Sequence, residues 1–229
     1  MKILSADCVV PGWCSFRVPH SVNVHATYPA PPPTTIYGLI ANALGLSQDD
    51  YTLQDQMEIG IAILESGEQV ETYTQWMKWN PHKNSMTMLV TRQKLIKPKF
   101  RFYILAEEEL LHTISKALLD PARILYLGES DDLVEIHNVT IQDMESDESN
   151  MVHNVITFES ASDHLEDGES SLMVVRWPVR FFQASRNGKY GADYKLVYIT
   201  EKEVRLHKAI QGYRLKDSGE FIVLESSNK

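Results

Sequence analysis

Cysteine is nearly absent from this chain of 229 residues, with only Cys8 and Cys14 present. Two thiols six positions apart and no CxxC beside them exclude a disulfide framework and leave no zinc-ligand pattern. Both are expected to be buried or half-buried. Long apolar runs are missing as well: no segment is long enough to span a bilayer, although 43% of the residues are hydrophobic. That share suffices for a real core in one large domain or two small ones. No P-loop, dinucleotide fingerprint, nucleophile elbow or repeat of fixed period appears. The opening MKILSADCVV runs directly into a strand pattern without a cleavable signal, so a cytoplasmic protein with no cofactor and no membrane contact is expected.

Acids are missing from two stretches. Residues 9–48 contain none, and 72–106 carry seven bases (Lys78, Lys83, Arg92, Lys94, Lys97, Lys99, Arg101) with no acid among them. Residues 173–216 hold ten bases against three acids. The net charge of −9 taken alone argues against a nucleic-acid partner, because phosphate contacts need clustered cations. Its distribution reverses that judgement: seventeen acids sit within 107–172, where the only bases are Lys116 and Arg123. Two basic surfaces separated by an acidic insert are therefore expected, with the acid-free stretch as a functional groove.

What is present is clearly punctuated. Pro31 to Pro33 fix φ and remove donors, so the preceding residues must be extended, while Pro33 suits a first helical turn. Thr34 and Thr35 mark the start. Ile36, Leu39, Ile40, Ala43 and Leu44 recur at helical steps up to Gly45, a left-handed cap position. Gly38 inside this helix costs ~1 kcal/mol against alanine, which implies close backbone approach, either by a sheet on which the helix packs or by RNA. Strands are expected at Ile3 to Val10, Glu58 to Leu64, Gln69 to Met77, Lys99 to Leu105 and Leu133 to Ile141, the second and third forming a hairpin about Ser66 and Gly67. Glu107 to Leu119 reads as an amphipathic helix with Leu110, Ile114 and Leu118 inward. The order strand, helix, strand, strand, helix, strand is α+β and ferredoxin-like over 1–142, a sheet that in many proteins binds single-stranded RNA. Residues 143–171 read as an acidic linker and loop. Residues 172–229 read as a small β-rich C-terminal section, with strands at Leu172 to Phe182, Tyr194 to Ile199 and Phe221 to Leu224.

The most chemical stretch runs from Gln75 to Lys99. Trp76, Trp79 and His82 offer flat rings for splayed bases, and Lys78, Lys83 and Arg92 offer charge for phosphates, the pairing that single-strand binders use. The same tryptophans would also suit the cap of a core at a strand end. Upstream, Arg17, His20 and Tyr28 lie on an extended arm without a neighbouring acid and are expected to face outward, with His25 a weaker candidate. Arg17 is the leading phosphate contact. No spacing among the eight histidines selects a general acid and base.

Phe16 to Pro19, the TYP of Thr27 to Pro29, the Thr34-Thr35 pair and the following IYGLI resemble the Cas-five family of CRISPR-associated proteins. Pro121 to Ile136, PARILYLGESDDLVEI, is similar to that family's glycine-containing stretch after the second helix. The resemblance implies a non-catalytic subunit of a type I Cascade that binds and caps the five-prime handle of CRISPR RNA, with an extended hairpin thumb at about 76–98. Tyr126 and Gly128 sit where the family bends its backbone beside RNA, although one glycine is a thin version of a glycine-rich loop. The implied RNA-binding set is Arg17, His20, Tyr28, Thr34, Thr35, Trp76, Lys78, Trp79, His82, Lys83, Arg92, Tyr126 and Gly128, with no catalytic or metal residue. Expected neighbours are the backbone subunit and the large PAM-reading subunit, with target DNA met only indirectly. Two other readings stay open: a metal-independent endoribonuclease that cuts the repeat, as in the I-C branch, and a ferredoxin-like protein-interaction module without RNA.

Overall fold

Helix α1, Pro33–Leu44, begins at the proline brake: Pro32 is extended at φ −61°, ψ 156°, and no side chain caps the first turn. Thr34 and Thr35 therefore lie inside the helix rather than ahead of it. Gly45, at φ 72°, ends it, with the cap N–H groups returning to the Ala41 and Asn42 carbonyls. Ile36, Leu39, Ile40 and Ala43 are buried as their spacing requires. Helix α2, Glu108–Leu119, places Glu108 and Glu109 on its positive end and buries Leu111, Ile114 and Leu118, with Leu110 only packed at the edge. The computed structural model describes residues 1–19, 21, 24–78, 86–153, 155–157, 172–184 and 189–224.

The strands are β1 (Lys2–Val9), β2 (Trp13–Cys14), β3 (Val24–His25), β4 (Glu58–Glu65), β5 (Glu68–Lys78), β6 (Met86–Ile96), β7 (Lys99–Leu105), β8 (Glu135–Val152), β9 (Ile156–Thr157), β10 (Leu172–Ala184), β11 (Lys189–Thr200), β12 (Val204–Leu215) and β13 (Phe221–Ile222). The chain is α+β and mostly β. Six strands form one sheet in the order β13-β12-β8-β1-β7-β4, every neighbouring pair antiparallel. Strand period explains its two faces: Leu4, Ala6 and Cys8 of β1 join Ile36, Ile40, Leu111 and Ile114 in the main core. On the opposite face Ile3, Ala62 and Tyr103 pack with Met144, Leu215 and Ile222. The sheet thus curls its β12–β13 end over the face that points away from the helices.

Three expectations change. First, β4 and β5 flank the Ser66-Gly67 turn yet do not pair: β4 joins β7, and β5 joins β6. Ile59, Ile61 and Ile63 hold β4 in the core, whereas β5 carries polar and exposed residues. At φ 71° Gly67 brings the chain so near β6 that a Cβ there would lie 2.4 Å from the Ile96 carbonyl oxygen, so the turn leads out of one sheet into another. Second, residues 143–152 are not linker but the outer half of the 18-residue β8, paired with β12. Acids there are answered across the ladder: the Arg214 guanidinium donates to Asp147 at 2.8 Å, and Lys216 lies 3.6 Å from Glu145. Residues 158–171 lie outside the described residues. Third, the C-terminal strands do not stand apart, because Trp177, Val179, Val197 and Ile199 are buried in the main core. A second cluster, with Val152, Ile156, Leu206 and Phe221, links β8, β9, β12 and β13. Cys8 and Cys14 are both buried, and burial pushes both thiols up.

Candidate nucleic-acid interface

The β5–β6 hairpin rises from the core at Glu68 and Ile96, earlier than the expected thumb, with Thr72 opposite Arg92, Thr74 opposite Val90 and Trp76 opposite Met88. Opposed residues share a face, so Thr72, Thr74, Trp76, Val90 and Arg92 lie on one side. The arm ahead of α1 lies along this side. Arg17 bridges Thr27, and β3 runs parallel to β6 with His25 beside Arg92. The His25 ring meets Trp76 edge-on at 5.1 Å and 79°, and the Arg17 guanidinium stands 5.6 Å from the Trp76 ring centroid. Trp76 remains 48% exposed and Arg17 is exposed, which leaves a half-open ring with a cation at its edge. Burial, joined by the Arg17 and Arg92 charges, holds the His25 imidazole below its ordinary 6.5.

That depression has a sign. A histidine kept neutral by the fold protonates more readily when unfolded, so its stabilisation is full above pH 6.5 and declines as the pH falls through the folded value. Stability of the wild-type chain is expected to drop below pH 6.5 more steeply than that of His25→Gln. Identical denaturant midpoints for the two proteins across that interval would remove His25 as the source.

The loop after α2 is clamped to the base of this hairpin. Lys94, almost fully buried on β6, reaches Asp132 Oδ1 at 2.6 Å and Glu129 Oε2 at 3.0 Å, and Arg92 pairs with the same Glu129 carboxylate. Asp132 Oδ2 accepts the Ser15 N–H at 2.9 Å and the Glu129 N–H at 3.2 Å. Burial pushes the Asp132 carboxyl up against the downward pull of Lys94 and the Ser15 N–H. Gly128 is needed here for two reasons: its φ is 112°, and a Cβ would lie 2.4 Å from the Ser15 carbonyl oxygen. The Glu129, Asp131 and Asp132 carboxylates approach within 4.8 Å of one another, a metal-like grouping, but Lys94 and Arg92 already supply its positive charge.

Of the expected site residues, Arg17, Trp76 and Arg92 come together, with Arg92 tied to an acid from the 107–172 segment rather than unpaired. Tyr28 does not face outward. It is buried, its hydroxyl donates to the Arg176 carbonyl at 2.7 Å, and burial pushes it up to about 12. Thr34 is buried and Thr35 half-buried in the first turn of α1. Tyr126, half-exposed, stands on the α1 side of the loop, and Lys78 ends β5. His20, Trp79, His82 and Lys83 lie outside the described residues. Lys94, Glu129 and Asp132 carry no signature as a site in the sequence, because partners more than thirty positions apart leave no local pattern.

A family model described as CRISPR-associated protein (Cas_Cas5) matches residues 12–196. Among solved structures, a CRISPR protein from Archaeoglobus fulgidus is similar at TM-score 0.58 and 12% identity, covering 99% of this chain and 100% of that one. A chain of a CRISPR RNA-guided surveillance complex is similar at TM-score 0.57 and 13% identity, covering 92% of this chain and 91% of that one. At such identities the likeness is one of fold. No curated protein matches the sequence. The family match takes in the arm, α1, the hairpin and the clamped loop together, and the chain belongs to the Cas_Cas5 family of CRISPR-associated proteins.

Proposed function

We propose that this chain is a non-catalytic, RNA-binding subunit of a type I Cascade that holds and caps the five-prime handle of CRISPR RNA. The observation that carries the reading is the Arg17–Trp76–His25 face of the hairpin, where a half-open indole lies beside the exposed Arg17 guanidinium, with Arg92, itself paired with Glu129, on the same side. Single-strand binders join stacking rings to phosphate-neutralising cations in this way. The strand order β8-β1-β7-β4, with α1 and α2 on one face, supports the ferredoxin-like reading. The opposite face, on which many such sheets bind RNA, is occupied by Met144, Leu215 and Ile222 of the chain itself, so the hairpin and arm are the better platform. By the same reading its neighbours are the backbone and PAM-reading subunits, and it meets target DNA indirectly.

Stacking and charge separate in salt. With labelled repeat RNA, Trp76→Ala is expected to weaken binding by roughly 5- to 150-fold at every salt concentration, since stacking on an aromatic contributes ~1–3 kcal/mol per base. Arg17→Ala is expected to flatten the dependence of log affinity on log salt by about 1. Wild-type affinity in both variants across the titration would sink the reading, and a discrete cleavage product in the absence of metal would replace it with the endoribonuclease.

A further inference from the structure

Gly38 is the starting point. A glycine in mid-helix is unfavourable, and the usual excuse is a neighbour too near for a side chain. Here, beyond its chain neighbours and the nearby backbone of its own helix, no atom of the described chain lies within 4 Å of where a Cβ would stand, φ is not positive, and the residue is exposed. Nothing among the described residues therefore asks for glycine. What Gly38 does border is a cleft of about 640 Å³ on the outer side of α1, within the size range of small-ligand sites. Phe181 stands on one wall, fixed by Gln54, whose side chain accepts the Phe181 N–H at 2.7 Å and donates to its carbonyl at 3.0 Å. Tyr51 tilts against Phe181 at 6.2 Å between centroids. Tyr126 also lines the cleft, half-exposed.

We propose that this cleft receives one unstacked nucleobase of the bound RNA, its ring laid over the bare backbone at Gly38 among the Tyr126 and Phe181 side chains. The inference rests on the reading that the chain binds RNA. Flat rings around a floor without a side chain suit a flat ligand, and base-on-aromatic stacking requires only such surfaces. Arg123 offers the phosphate a counter-charge at the rim: it donates to the Gly45 and Leu46 carbonyls just past the end of α1 and makes no ion pair among the described residues. Position favours RNA over a protein side chain. Three peptide steps separate Tyr126 from Glu129, so at ~3.5 Å per residue their α-carbons lie within about 11 Å. Glu129 in turn holds Arg92 of the hairpin face, and a strand lying on Trp76 reaches the cleft within a few nucleotides.

The test is an abasic scan. Labelled repeat-derived single-stranded RNA, with one position at a time made abasic, is titrated against the wild-type chain, Gly38→Leu, Gly38→Ala and Tyr126→Ala. For the wild type, one position is expected to lose ~10-fold in affinity when its base is removed, beyond any loss attributable to Trp76. In Gly38→Leu intact RNA is expected to bind ~10-fold more weakly, and the abasic loss at that position disappears because the cleft is already filled. Gly38→Ala is expected to raise the melting temperature while lowering RNA affinity, opposite signs that a merely structural glycine does not give. Tyr126→Ala is expected to weaken the same position. Equal abasic profiles in wild type and Gly38→Leu overturn the proposal while leaving RNA binding intact. Unchanged RNA binding with loss of a co-purifying subunit assigns the cleft to protein and overturns it too. Failure of the wild type to bind any of the RNAs removes the underlying reading as well.

Discussion

Asp132→Ala is expected to destabilise the fold by ~3–5 kcal/mol, among the largest effects of any single substitution outside the apolar core. The Asp132 side chain is wholly buried, and its two oxygens satisfy the Lys94 ammonium and the N–H groups of Ser15 and Glu129. Truncation leaves an ammonium with only 4% of its side chain exposed facing Glu129 alone, and two backbone donors lose their acceptor. The double variant Asp132→Leu, Lys94→Met removes both charges and is expected to recover most of the loss. Denaturant unfolding at neutral pH measures both. A single-variant cost below about 1 kcal/mol would mean that Lys94 reaches water and that the clamp is not buried in the sense argued here.

Gly128→Ala is expected to cost roughly 3 kcal/mol, the sum of left-handed strain and steric conflict. Gly219→Ala separates the two contributions. Gly219 also has positive φ, 70°, but its Cβ would meet nothing within 4 Å, so only the conformational cost of ~1 kcal/mol is expected there. At Gly128 the added methyl meets the Ser15 carbonyl oxygen, which belongs to backbone beside the Asp132 clamp and has no rotamer by which to yield. Similar melting temperatures for the two alanine variants would show that the loop slides away from Ser15 at no cost.

The elements that were legible in the sequence are those whose cause is local. The proline brake, the Gly45 cap and the helical spacing of Ile36, Leu39, Ile40 and Ala43 make α1, and the alternation of Phe100, Phe102 and Ile104 marks the buried face of β7. Pairing is not local. The turn at Gly67 looks the same whether β5 folds back on β4 or departs to β6, and β12 shows no clear strand pattern because its apolar positions are diluted by Arg205, His207, Lys208 and Arg214. The acids of 143–152 read as a solvated loop because their partners on β12 are distant in sequence, Arg214 lying 67 positions from Asp147. For the site, the charge map pointed to the hairpin and arm, and Arg17 and Trp76 do meet. Tyr28 misled because a tyrosine beside an exposed arginine carries no sign of a distant carbonyl waiting for its hydroxyl.

The central place of β1 in the six-stranded sheet has a consequence for how the chain is made. Lys2–Val9 emerges well before its two neighbours, Lys99–Leu105 and the first half of Glu135–Val152. At bacterial-to-eukaryotic elongation rates of ~5–20 residues per second, Glu135 follows Lys2 by roughly 7–27 s. Throughout that interval a strand carrying Ile3, Leu4 and Cys8 has at least one open edge, an invitation to pair with the wrong chain. The exposed edge closes only when β7 and β8 arrive, so β1 depends on partners synthesised about a hundred residues or more after it.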